Sequence, residues 1–184
     1  MSVENLTEIP LVNIVRAEII TEEEVPKTYR FDTADEATYT AVTSEGQETI
    51  HRTKNVIHAV NRTEDIQYGS DINMKNANFI PEVLAIVDGG TLVKSDNKVT
   101  GYNPPVVGKP VKRTLFTLNI YSEEKDIDGE TKKYAKFSFP SCKGKPASFS
   151  FKDGEFMTPS YTISSRTPSG KAPYDLTILE ELPE

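Results

Sequence analysis

The chain has 184 residues, a formal net charge of −7, one cysteine, two histidines and no tryptophan. That length fits one domain able to bury roughly 70% of its unfolded surface, yet only 36% of the residues are apolar and the mean hydropathy is −0.46. A surface of this sign repels phosphate backbones and anionic lipid, which excludes nucleic-acid binding through a basic face, and a single thiol excludes an intrachain disulfide.

No run of about 18 apolar residues is present, and Met1 to Pro10 has neither a basic start nor an apolar stretch, so the expectation is a chain made in the cytosol with no membrane binding of its own. The sequons Asn5-Leu6-Thr7 and Asn61-Arg62-Thr63 read as unused without a secretion signal.

Strands are expected nearly throughout. Leu11 to Thr21 is short and β-branched, though its apolar residues do not alternate cleanly; Val25-Pro26 breaks it. Thr38 to Thr43 alternates, Ser44-Glu45-Gly46-Gln47 supplies turn residues, and an extended run from Glu48 to Thr63 follows, which reads as a long hairpin. Its second arm is too polar to cover a core alone and suits an edge or a reach toward another subunit. Ile66 to Phe79 contains another strand, with Ile66, Tyr68, Ser70, Ile72 and Met74 on one face.

One helix is expected. Pro81 suits a first helical position, Glu82 complements the positive helix start, Val83 to Val87 forms the apolar body and Gly89-Gly90 stops it. Asp96 to Pro110 is dense in turn formers and reads as a loop. The clearest alternation follows, with Thr114, Phe116, Leu118 and Ile120 opposite Leu115, Thr117, Asn119 and Tyr121. A turn at Asp126-Ile127-Asp128-Gly129 joins it to Lys133–Pro140, whose Ala135, Phe137 and Phe139 point inward. Phe149 and Phe151 continue the pattern, Tyr161 to Ser164 gives the next strand, Arg166 to Pro173 is a loop, and Tyr174, Leu176 and Ile178 mark the last strand. The fold class is therefore mainly β: a sandwich or barrel-like sheet pair of roughly six to eight strands with one short helix near 81–88, in one domain without internal repeats.

Catalytic constellations do not assemble in this reading. His51 and His58 are seven apart, so on one continuous strand they face opposite sides, and a shared metal or acid–base site needs a bend between them. Lys143 and Lys145 could depress the pKa of Cys142, but a lone cysteine without a placed histidine reads as a small apolar filler. The Asp126 turn lacks the later ligands of a calcium loop, and Lys143-Gly144-Lys145 and Ser169-Gly170-Lys171 lack the strand, glycine spacing and helix start of a phosphate cradle. No catalytic residue, metal ligand or cofactor-binding residue is assigned, and the chain is expected not to be an enzyme.

Three segments carry a family resemblance: Phe79-Ile80-Pro81-Glu82-Val83-Leu84-Ala85-Ile86-Val87-Asp88-Gly89-Gly90, Lys136-Phe137-Ser138-Phe139-Pro140-Ser141-Cys142-Lys143-Gly144, and Phe149-Ser150-Phe151-Lys152-Asp153-Gly154-Glu155-Phe156. In order and texture, over roughly Ile66 to Pro183, the chain resembles the major tail, or tail-tube, proteins of long-tailed bacteriophages and prophages of Gram-positive bacteria. The resemblance implies a virion structural protein: a β-sandwich with a flanking short helix that self-assembles into hexameric rings stacked as a tail tube. Such a tube encloses the tape-measure protein, meets tail terminator and baseplate or tail-tip proteins, passes DNA without specific binding during genome ejection, and is assembled in the host bacterial cytoplasm.

On that view the single domain, residues 1–184, carries an N-terminal arm over 1–10 and a protruding hairpin arm over about 38–63. Tyr39, Val42, Ile50, Val56 and Ile57 are candidate subunit-contact residues of that arm, and Glu22, Glu23 and Glu24 are candidate acidic residues of the lumen or the ring-to-ring contact. Six copies at −7 each would total −42, a wall that holds DNA off within a screening distance of about 8 Å. The other reading is a β-sandwich carbohydrate- or protein-binding module of a phage tail tip or bacterial surface. It would need Tyr102, Tyr121, Tyr134 and Tyr161 gathered on one exposed face.

Overall fold

The computed structural model describes residues 7–184. Most of the expected N-terminal arm, and the sequon at Asn5, lie outside the described residues. In chain order the elements are β1 (Leu11–Thr21), β2 (Thr28–Phe31), β3 (Ala34–Ser44), β4 (Glu48–Thr53), β5 (Val56–Arg62), β6 (Ile66–Asn76), α1 (Pro81–Asp88), β7 (Thr91–Ser95), β8 (Lys98–Asn103), β9 (Phe116–Lys125), β10 (Thr131–Gly144), β11 (Ser160–Ser165) and β12 (Asp175–Leu179). The fold is mainly β with antiparallel pairing, as the alternation predicts.

Eight strands form one continuous sheet in the order β2-β1-β9-β10-β11-β6-β3, with β12 beside β10; β4-β5 and β7-β8 are separate two-stranded ribbons. The layers expected as two sheets are thus two halves of one sheet, and β10 is the reason. Its first part pairs Tyr134–Ser138 with β12, and its last part pairs Cys142–Gly144 with β11 along the same edge. Between them the register to β9 shifts from Phe139 to Cys142, and Ser141 takes a left-handed φ of 53° beside Pro140. An extra residue in one strand bends it, and this bend carries β10 from one half to the other.

The core fills the space between the halves. Ala17 and Ile19 of β1, Phe116 and Leu118 of β9, Phe139 and Cys142 of β10, Ile72 and Met74 of β6, and Tyr161 and Ile163 of β11 are buried in it. Helix α1 adds Val83, Leu84 and Val87 to the same cluster, each apolar side chain contributing about 1.5–3 kcal/mol relative to exposure. Pro81 occupies the first turn, and Gly89 at φ 85° donates its N–H to the Ala85 carbonyl at 3.1 Å, so the helix starts and stops where its sequence predicts. A Cβ on Gly144 would lie 2.0 Å from the Val87 carbonyl oxygen, so the end of β10 approaches the helix at glycine distance.

Three local expectations change. The sequence reads Thr38–Thr43 and the run from Glu48 as partners; instead β3 pairs with β6 over its length, and the polar run folds on itself as β4 and β5. The loop expected from Asp96 begins later, because Asp96 and Asn97, both left-handed at φ 48° and 62°, close a β7–β8 hairpin. Phe149 and Phe151 do not extend a strand: only a bridge from Ser148 to Ser160 marks that region, and both rings are exposed.

Candidate assembly surface

The turn Ser44–Gln47 carries the chain from β3 into a hairpin that leaves the body. Gln47 and Thr63 close its base: Thr63 N–H donates to the Gln47 carbonyl at 3.0 Å, and Gln47 N–H donates to Thr63 Oγ1 at 2.7 Å. Gly46 N–H donates to Asp65 Oδ1 at 2.6 Å, and a Cβ at Gly46 would sit 1.8 Å from the Thr63 carbonyl oxygen. Beyond this clamp every residue of β4 and β5 is exposed. Ile50, Val56, Ile57 and Val60 are 45–61% exposed, which an isolated two-stranded ribbon does not offset by burying anything itself. Arg52, Lys54 and Arg62 outnumber Glu48, so the hairpin is basic on an acidic chain; Arg62 Nε donates to Glu48 Oε2 at 2.6 Å.

Of the residues assigned to an arm, Ile50, Val56 and Ile57 lie on this hairpin, while Tyr39 and Val42 lie on β3 in the main sheet. Tyr39 stacks on Phe139 at 5.8 Å and meets Tyr174 edge-on at 5.3 Å; its hydroxyl accepts from Gln67 Nε2 at 2.8 Å. It lines an open apolar cavity of about 210 Å³ with Ile14, Ala37, Ile72, Phe137 and Phe139, where the two halves of the sheet part. β3 ends the sheet, so its outer edge has no strand partner among the described residues. Tyr174, just before β12, and Leu176 and Ile178 on it expose further apolar surface.

Glu22, Glu23 and Glu24 are exposed between β1 and β2. Glu22 is tied to the body, its Oε1 accepting from Ser141 N–H at 3.0 Å and Thr117 Oγ1 at 3.1 Å. Glu22 and Glu23 line one depression with Lys112, Arg113 and Lys143, so their charge is met locally.

The reactive-group candidates settle into structural places. Cys142 is fully buried, and burial pushes its thiol up to about 12, opposite to an activated cysteine; it donates to the Phe139 carbonyl at 3.2 Å. Asp126 Oδ1 accepts from Asp128 N–H at 2.9 Å and Glu130 N–H at 3.0 Å, and Lys132 at 3.1 Å holds its carboxyl below the usual range, so this carboxylate builds a turn. Gly144 faces the helix C-terminus, where carbonyls and not N–H groups point outward, which does not suit a phosphate. Tyr121 and Tyr161 are buried, and Tyr102, whose phenol is raised by burial and by its bond to Asp88, is half-buried at the helix end. The four tyrosines therefore share no exposed face.

Sequence reasoning missed a buried polar cluster on the outer face of β1. Glu18, almost fully buried, pairs with Arg30 Nε at 2.9 Å and accepts from the Tyr121 hydroxyl at 2.9 Å and Asn119 Nδ2 at 3.4 Å. Burial, then the bond to Glu18, raises Tyr121 to about 12. The signal was a lone carboxylate inside Val15–Ile20, with Arg16 beside it. Among the described residues no group of three or more His, Cys, Asp or Glu side chains is placed to hold a metal ion, and no helix is long and apolar enough to cross a membrane.

No family model matches this sequence, and no curated protein matches it. Among solved structures, the chain is similar at 9% identity and a TM-score of 0.38, over 97% of each chain, to a chain in the six-fold symmetrised cryo-EM structure of the anti-feeding prophage baseplate. It is similar at 8% identity and a TM-score of 0.43, over 91% of this chain and 92% of the other, to a chain in the extended sheath–tube complex of an extracellular contractile injection system. Likeness at those scores decides neither fold nor function.

Proposed function

We propose that this chain is a structural, non-catalytic subunit that assembles with copies of itself, and specifically the tube subunit of a long phage tail. The observation that carries the self-assembly reading is the β4–β5 hairpin: it leaves the body on a clamped base, buries none of its residues, and displays four large apolar side chains. Ordering such a ribbon gains its stabilising contacts elsewhere, and the 11-residue edge of β3, unpaired among the described residues, offers backbone groups for the same purpose. A second copy is the fitting partner because the hairpin is basic while the chain as a whole is acidic.

The tail-tube form of this reading is supported by the resemblance in Phe79–Gly90, Lys136–Gly144 and Phe149–Phe156. In it, hexameric rings stack through arms and edges, the bore encloses the tape-measure protein, and the net negative wall lets DNA pass without holding it. The alternative of a sugar-binding module loses its aromatic platform, since Tyr121 and Tyr161 are in the interior.

The test uses the hairpin base. Replacing Glu48–Arg62 with Gly-Gly between Gln47 and Thr63 keeps the closing pair and the main sheet, whereas a cut starting at Thr40 would remove part of β3. Light scattering after gel filtration and negative-stain microscopy should show rings or tubes for the intact chain at high concentration and a folded monomer for the replacement. An intact chain that stays monomeric while retaining a specific glycan, or a replacement that assembles equally well, would overturn the reading.

A further inference from the structure

His51 and His58 are the chain's only histidines, and the structure brings them together. The bend that their spacing requires is the turn at Lys54-Asn55, where Lys54 is left-handed at φ 53°. Next to that turn, Thr53 pairs with Val56 and Arg52 with Ile57; further out, His51 pairs with Ala59 and Ile50 with Val60. The residue left over between these two registers is His58. An extra residue in one strand re-aims its own side chain. In the outer register alone His58 would sit opposite Arg52, on the face away from His51. With the bulge, the two imidazole centroids are 5.6 Å apart and the rings are tilted by 44°. Both residues are exposed.

We propose that His51 and His58 form a two-imidazole binding site for a divalent transition ion of the zinc, nickel or copper type. Imidazole nitrogen suits these ions, whereas calcium and magnesium take oxygen. With a metal–nitrogen distance of about 2.1 Å and a ring centre roughly 1.2 Å further back, two imidazoles sharing a tetrahedral ion have centroids about 5.4 Å apart. The observed separation of 5.6 Å is within a few tenths of an ångström, about 0.2–0.3 Å, of that distance. Water, or donors from a neighbouring copy, completes the coordination. Arg62 is occupied by Glu48 at 2.6 Å, which among the described residues leaves Arg52 and Lys54 as the hairpin's uncompensated cations; they set a limit on affinity but do not occupy the ring nitrogens. A bound ion ties β4 to β5 across the bulge, at the midpoint of a ribbon that no other described residue covers. The site stands on the hairpin alone and does not depend on the tail-tube reading.

The experiment is a zinc chloride titration of the full chain, free of affinity tag and stripped with chelator, followed by calorimetry and by the imidazole ring signals in NMR. One zinc per chain is expected, with both rings shifting together. His51→Ala and His58→Ala should each weaken binding about tenfold or more, because the second imidazole acts at high effective concentration once the first has bound. Both substitutions lie on an exposed ribbon, and circular dichroism confirms the unchanged body. The proposal fails if no zinc is taken up, if only one ring shifts, or if the doubly substituted chain binds zinc as the intact chain does.

Discussion

Glu18 shows how one charged side chain can organise a buried sheet face. On β1 it stands between Arg30 of β2 and Asn119 of β9 in register, and it also accepts from the Tyr121 hydroxyl. Glu18→Ala removes the acceptor from a buried phenol and the partner from Arg30, whose partial exposure lets water recover some of the loss. The expected cost is about 2 kcal/mol, or roughly 5 °C in Tm for a chain of this size, read by circular dichroism. Glu18→Gln should cost less because an amide oxygen still accepts. A change in Tm under about 1 °C for the alanine variant would remove this cluster from the stability of the fold. The same residue marks a limit of sequence reading: charge on the off-core face of β1 predicts solvent, and only pairing with β2 and β9 shows the burial.

At the scale of elements, contact between α1 and β10 depends on one missing side chain. Gly144→Ala must displace the Val87 carbonyl or the end of β10, and a loss of about 2–3 kcal/mol is expected in denaturant unfolding. Gly101→Ala, whose Cβ would meet Val93 at an ordinary 3.6 Å, is the control and should change stability by less than about 1 kcal/mol. Equal stabilities for the two variants would mean that the helix end yields freely.

Elements with strong local signals were legible. The β9–β10 hairpin with its Asp126 turn and helix α1 between its proline and glycine lie where periodicity and capping predict them, and β1 lies where its short β-branched run does. Elements set by pairing or by unusual turns were not. Lys54-Asn55 and Asp96-Asn97 reverse the chain without glycine or proline, through left-handed Lys54, Asp96 and Asn97, so one hairpin read as a single run and another as a loop. The turn residues at Ser44–Gln47 then suggested a β3–β4 pair, although β3 finds its partner in β6, beyond the whole hairpin. Of the assembly surface, the apolar residues Ile50, Val56 and Ile57 were visible in a polar run, but the approach of His51 to His58 needed the bulge, which leaves no mark in spacing.

For the whole molecule, the distribution of charge sets a test of association. A basic hairpin meeting an acidic body is drawn in by a field that salt shortens, from a Debye length of about 10 Å at 0.1 M to about 3 Å at 1 M. The apolar contacts that follow are not weakened in that way. Assembly followed by light scattering should therefore slow as sodium chloride rises over this range, with a smaller change in its final extent. A rate that is constant or increases would separate association from the charge of the hairpin.

The pairing of β1 with β9 has a consequence for the chain while it is being made. Ala17 meets Ile120, so the first strand has only the four-residue β2 beside it until the ribosome has added about 100 more residues, which takes roughly 5–20 s. The β4–β5 ribbon can close within its own short span long before that. A nascent chain therefore carries a formed hairpin on an unfinished body, and its sheet closes only when β11 reaches β6. The order of synthesis thus separates display of the contact surface from completion of the domain that must carry it, and a copy still on the ribosome presents an arm without the acidic body that another arm would seek.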